Sequence, residues 1–201
     1  MSETSDALLR QAFEMKRAHQ WQDARPLLMN AVALCREAGE RAELARTLMA
    51  LGQIERDMGE LDAALAEYQE AVTLWREDGS RLRLANALRC VGDILQDKGH
   101  LESGQFELAE PCYRESLEIY RGNGQTTPLD LANAICGLAL LTGATDRAQE
   151  AIHLWQEAGR LYASAGVDTG VEEARDQLLK LTAQLPGVAS APSQPGQRHS
   201  G

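Results

Sequence analysis

The chain has 201 residues, of which 44% are hydrophobic and only 4% aromatic, enough to bury one substantial core or a short array of repeats. Thirty acidic residues against twenty basic ones leave a formal charge of −10, which argues against nucleic acid or an anionic membrane surface as a partner held by net attraction. No stretch approaches the ~18 apolar residues of a membrane-spanning helix, and the opening MSETSDALLRQ lacks a basic segment followed by an apolar one, so the expectation is a cytoplasmic protein with no membrane insertion.

Ala and Leu dominate the apolar fraction, a mixture that favours close helix packing over a β-sandwich. In chain order, the first segment reads Trp21, Ala24-x3-Leu28-x2-Ala31, an apolar helical spacing within a unit near 5–38. The next unit, near 41–78, opens on LARTLMALG (44–52) and continues through Gly59 to Ala64-x3-Tyr68-x2-Ala71. A third, near 81–122, opens on LANALRCVG (84–92) and continues through Gly99 to Ala109-x3-Tyr113-x2-Ser116. The fourth, near 128–164, carries LANAICGLA (131–139) and then Ala151-x3-Trp155-x2-Ala158. Leu44 to Leu84 is 40 residues and Leu84 to Leu131 is 47, a period that signals repeated helix pairs. The longer interval implies an insertion around LESGQ (101–105).

Local signals punctuate the units. REDG (76–79) and RGNG (121–124) predict helix ends, since glycine adopts the left-handed conformation there. Thr127-Pro128 predicts a helix start, with a capping threonine before a first-turn proline. Pro26 and Pro111, each two residues after a small Ala, are expected near the first turn of a second helix. TGVEEARDQLLKLTAQL (169–185) has Val171, Ala174, Leu178 and Leu181 at helical spacing and suits a terminal helix that covers the last apolar face. The Pro/Gly/Ser-rich segment 186–201 cannot build a core and reads as a disordered tail.

The alternation of small and aromatic residues resembles the tetratricopeptide repeat (TPR) family, in the long-repeat variety found in kinesin light chains and bacterial adaptors. The family's closing proline is absent; Arg76 and Ile119 stand about where it would be. The resemblance implies an all-α fold, a right-handed superhelical stack of about four helix pairs plus a C-terminal capping helix. It also implies a concave groove lined by the first helix of each pair. Carried over unit by unit, groove positions fall on Leu9, Phe13, Lys16 and Arg17, then on Arg46, Met49, Gln53, Arg56 and Asp57. In the later units they fall on Asn86, Arg89, Asp93, Gln96 and Asp97, and on Asn133, Cys136 and Leu140.

The cations Lys16, Arg17, Arg46, Arg56 and Arg89 outnumber the acids Asp57, Asp93 and Asp97, so the groove reads as mildly positive within an acidic chain. Asn86 and Asn133 recur at one register position and could grip a peptide backbone. The candidate binding strip is therefore Arg46, Gln53, Asn86, Arg89 and Asn133, with Lys16, Arg17 and Phe13 at one end. It would hold a protein or peptide segment that is acidic or C-terminal. The alternative is a regulatory sensor whose groove takes a small peptide or effector segment. A homo-oligomer through a terminal helix is also open.

Nothing points to catalysis or to a cofactor. His19, His100, His153 and His199 are scattered, and no H-E-x-x-H occurs. Cys35, Cys90, Cys112 and Cys136 form no C-x-x-C pair and read as reduced thiols.

Overall fold

The computed structural model describes residues 3–99 and 105–185, and these form nine α-helices with no strand. They are α1 (Glu3–Arg17), α2 (Trp21–Ala38), α3 (Arg41–Asp57), α4 (Leu61–Asp78), α5 (Arg81–Gly99), α6 (Gln105–Arg121), α7 (Pro128–Ala144), α8 (Ala148–Ala165) and α9 (Asp168–Gln184). The expected insertion at 101–105 lies outside the described residues apart from Gln105, and so does the 186–201 segment.

Each helix packs against the helices before and after it in the chain, and α5 also touches α7. One apolar core runs through the stack from Leu9 in α1 to Leu181 in α9. The small residues sit at the crossings: Ala24, Ala64, Ala109 and Ala151, one per second helix, are fully buried. Four residues later a large side chain fills the adjacent gap, as Leu28, Tyr68, Tyr113 and Trp155, all buried.

These large residues explain the glycines in the nonapeptides. A Cβ on Gly52 would stand 2.8 Å from Cε1 of Tyr68, and one on Gly92 would stand 2.8 Å from Cε1 of Tyr113. In the fourth unit the glycine moves two residues earlier, to Gly137, because there it faces Tyr113 of the preceding unit.

Helix ends follow local chemistry. Gly39 closes α2 at φ 67°, with its N–H on Arg36 O and the Glu40 N–H on Cys35 O, and Gly79 and Gly166 take the same conformation after α4 and α8. Thr127 caps α7 by accepting from Asp130 N at 3.1 Å, and Pro128 is its first residue. The turn inside a unit puts a left-handed residue five before the small alanine of the second helix: it is Gly59 before Ala64, His19 before Ala24 and Asp146 before Ala151. Pro26 and Pro111 differ from expectation. Both lie in the second turn of their helices, because α2 and α6 begin at Trp21 and Gln105, several residues ahead of them.

Consecutive second helices are tied by a repeating ion-pair ladder. Arg36 meets Glu70 at 2.6 Å, Arg76 meets Glu115 at 2.7 Å and Arg121 meets Glu157 at 2.8 Å. The three arginines share one register position in α2, α4 and α6, and the three glutamates share another in α4, α6 and α8. Each rung is exposed and worth little alone, on the order of 0.2–1 kcal/mol. Its repetition marks the register between units.

Candidate functional site: the groove of the first helices

The first helices α1, α3, α5 and α7 together line one groove. Phe13 comes from α1, Arg46 and Met49 from α3, Leu82, Arg83 and Asn86 from α5, and Asp130 from α7. Trp75 and Tyr120, near the ends of α4 and α6, complete a cavity of about 450 Å³. Its character is mixed. Phe13 is 47% exposed, an unusual position for a phenylalanine with a core so near. Arg83 lies over the Trp75 ring, its Cζ 4.8 Å from the centroid, and makes no ion pair among the described residues. Arg46 pairs with Glu43 one turn earlier on α3.

A second, smaller cavity of about 240 Å³ lies further along the same groove and is polar. Asp93 is its centre. The Tyr113 hydroxyl donates to Asp93 Oδ1 at 2.9 Å, Arg89 Nη1 donates to Oδ2 at 2.6 Å, and Arg56 Nη1 reaches Oδ2 at 3.5 Å. Arg56 also pairs with Asp97 at 2.8 Å. Burial pushes the Asp93 carboxyl above its ordinary range, against the pull of Arg89, Arg56 and the Tyr113 hydroxyl. Burial opposes the charge on Arg89, but Cys90 and Asp93 beside it hold its pKa above the ordinary guanidinium value.

The expected strip is thus divided between two cavities. Phe13, Arg46 and Asn86 line the first, while Arg89 and Asn133 line the second. Gln53 lines neither and donates to Asp57 Oδ1 at 3.0 Å along α3. Lys16 and Arg17 close α1 and line neither cavity, Arg17 exposed and Lys16 half-buried. Asn86 Oδ1 accepts from Arg89 Nη2 at 3.1 Å, and Asn133 Oδ1 accepts from the Tyr162 hydroxyl at 2.9 Å. The mildly positive reading also changes in detail, since Arg56 and Arg89 are already matched by Asp93 and Asp97.

Sequence reasoning missed Arg83, Trp75 and Tyr120 as groove residues. A signal existed. Eleven residues after Ala64, Ala109 and Ala151 stand Trp75, Tyr120 and Tyr162, and the third residue of the following helix meets each aromatic. That residue is Arg83 over Trp75, Asp130 near Tyr120 and Gly170 against Tyr162.

Three of the thiols are held in the protonated, less nucleophilic form. Burial pushes Cys90 up to about 11 and Cys136 up to about 12, and it raises Cys112 as well. Among the described residues no group of His, Cys, Asp and Glu is arranged to hold a metal ion, and no helix is long and apolar enough to cross a membrane.

A stack of helix pairs with small residues at its crossings and a groove along its first helices defines a helical-repeat protein. The chain belongs to the tetratricopeptide repeat family: the family pattern matches residues 3–77 and again 43–122. Repeats of this family generally mediate protein–protein interaction. No curated protein sequence matches the chain. Solved structures with the same fold include BtubC (BKLC) from P. vanneervenii, at 16% identity and TM-score 0.64, covering 100% of this chain and 95% of that one. Another is a Podosopora anserina protein described as a kinesin light chain with nearly identical TPR-like repeats, at 16% identity and TM-score 0.66, covering 92% of this chain and 98% of that one. MamA RS-1, as a double mutant, is similar at 13% identity and TM-score 0.59, covering 93% of this chain and 99% of that one.

Proposed function

We propose that the chain is a non-catalytic adaptor that holds a segment of a partner protein in the groove of its first helices. The observation that carries this reading is the first cavity: Arg83, a cation without an ion-pair partner among the described residues, lies beside the half-exposed Phe13 and the partly buried Met49 and Leu82. Such a surface suits a segment that offers one large apolar side chain next to a carboxylate, from an acidic residue or a chain end. The apolar side chain would displace water from Phe13, Met49 and Leu82. The carboxylate would meet the guanidinium fork of Arg83, with Arg46 nearby. Asn133, whose amide nitrogen makes no hydrogen bond among the described residues, supplies a donor for the segment's backbone further along. The cations of the second cavity serve the fold first, because Asp93 and Asp97 already occupy them.

Selection of peptides from a random displayed library tests the reading. Enriched peptides should share an apolar residue beside Asp, Glu or a free C-terminus, and their binding should weaken as salt rises. Enrichment of basic peptides, or of none that the groove variants described below release, would overturn it.

A further inference from the structure

We infer that the outer face of α8 and α9 is a self-association surface, and that its occupant is α9 of a second copy of this chain. In the repeat register α9 is the first helix of a fifth pair whose second helix does not follow among the described residues. The seat that such a helix would fill remains as an apolar groove of about 590 Å³ between α8 and α9. Gly159, Ala163 and Ala174 leave room in it for a side chain, and Val171, Leu178 and Leu179 give it an apolar wall. Leu179 is 64% exposed, the most exposed of the large apolar side chains among the described residues.

The charges say what fits there. A further second helix of the internal kind would bring a glutamate to the ladder, but α8 has Ala163 where α2, α4 and α6 have Arg36, Arg76 and Arg121. The other end of the chain does not continue the stack either. It presents α1, a first helix, and α2 has Asn30 where α4, α6 and α8 have the ladder glutamate. Head-to-tail stacking is therefore out of register.

The face is instead complementary to itself. Glu172, Arg175, Asp176 and Leu179 fall at i, i+3, i+4 and i+7 on the exposed side of α9. None of the three charged residues makes an ion pair among the described residues, and neither does Arg160 on the groove's rim. Two α9 helices related by a two-fold axis would each bury Leu179 in the other's groove. Arg175 of each would then meet Glu172 and Asp176 of the other. A two-fold contact requires one surface to supply both signs, and this one does. A foreign acidic helix would meet Arg160 and Arg175 but would be repelled by Glu172 and Asp176.

Sedimentation of the full chain tests the assignment. The expected species at micromolar to submillimolar concentration is a dimer, twice the 22.0 kDa of the chain. Leu179→Glu should give a monomer with an unchanged helical spectrum, and the milder Leu179→Ala should weaken association in the same direction. Arg175→Glu should weaken it about tenfold. Adding Glu172→Arg and Asp176→Arg to that variant should restore it. A wild-type monomer over this range, a dimer indifferent to Leu179, or a charge reversal that does not rescue would each overturn the proposal. So would a monomer that takes a foreign helix in this groove. Peptide capture by the first-helix groove should be the same in all these variants, which separates this surface from that one.

Discussion

Gly137 of α7 and Tyr113 of α6 approach so closely that a methyl group on Gly137 would stand 2.4 Å from the ring carbon Cε1. The contact joins two successive units through one buried aromatic. Gly137→Ala should therefore destabilise the protein by about 1–3 kcal/mol, since the buried ring must move away from its packed position to admit the methyl group. Gly143, near the end of the same helix, is the control: a Cβ there would lie 3.7 Å from Leu181 Cδ2, an ordinary contact. Gly143→Ala should be neutral or stabilise by up to about 1 kcal/mol, from helix propensity alone. In thermal melts only the Gly137 variant should lose stability, and a parallel loss would mean that the α6–α7 packing is misdescribed.

The turns inside the units carry a related prediction. Gly59, His19 and Asp146 hold the same left-handed conformation at φ 81°, 57° and 57°. A side chain there costs roughly 1–2 kcal/mol, and glycine's extra freedom in the unfolded chain returns part of it. Gly59→Ala should cost about 1 kcal/mol. His19→Gly should gain a few tenths of a kcal/mol or more, less whatever the edge contact of His19 with Trp21, at 5.1 Å, contributes. Denaturant midpoints would show both signs.

Much of this architecture is legible in the chain because it is written in residue size. Ala64 with Tyr68 and Ala109 with Tyr113 announce a close helix crossing beside a large filler, and Gly79 announces the break after α4. The candidate site is less legible because it depends on which helix ends meet. Arg83 precedes the LANALRCVG segment and looks like any solvated charge, yet it lies on Trp75 of the preceding helix. Arg56 looks free in sequence, and only the approach of α5 to α3 brings Asp93 and Asp97 to it. The Arg89–Asp93 pair was readable from i, i+4 spacing alone.

Asp93 and Glu110 should give stability opposite dependences on pH. Burial holds the folded pKa of Asp93 above its ordinary value of 3.8, so the folded state takes up this proton more readily than the unfolded chain. Its contribution to stability therefore falls as pH rises through that interval and is flat above it. Glu110 is the reverse. A hydrogen bond from Arg147, then one from Arg114 working against burial, lowers its pKa below 4.5, so its contribution is present above that value and is lost as pH falls through the folded pKa. Melting temperatures of Asp93→Asn and Glu110→Gln against wild type should diverge in opposite senses across the acid range. At neutral pH Glu110→Gln should be the less stable than wild type, and the difference should close in acid.

The groove itself is best tested at Arg46 and Arg83. Arg89 is a poor choice for charge reversal, because its side chain is 22% exposed and bonded to Asp93 at 2.6 Å, beside the Tyr113 hydroxyl. Arg89→Glu would set two carboxylates together in a partly buried site and would cost about 3 kcal/mol or more, which confuses folding with binding. Arg83 is exposed and lies over the face of Trp75, a contact worth about 0.5–1 kcal/mol at such a site. Arg46→Gln, which still offers a hydrogen-bond donor to the buried Glu43 and adds no second carboxylate beside it, with Arg83→Glu should therefore leave the helical spectrum intact and shift the melt only modestly. If an acidic or C-terminal segment binds there, the double variant should lose it by about a hundredfold or more, since each lost charge-assisted hydrogen bond is worth about 1.5–3 kcal/mol. Phe13→Ala should weaken the same peptides without changing the salt dependence of what remains, because its contribution is apolar. Wild-type affinity in the double variant, measured by calorimetry on a selected peptide, would place the binding surface away from Phe13 and Arg83.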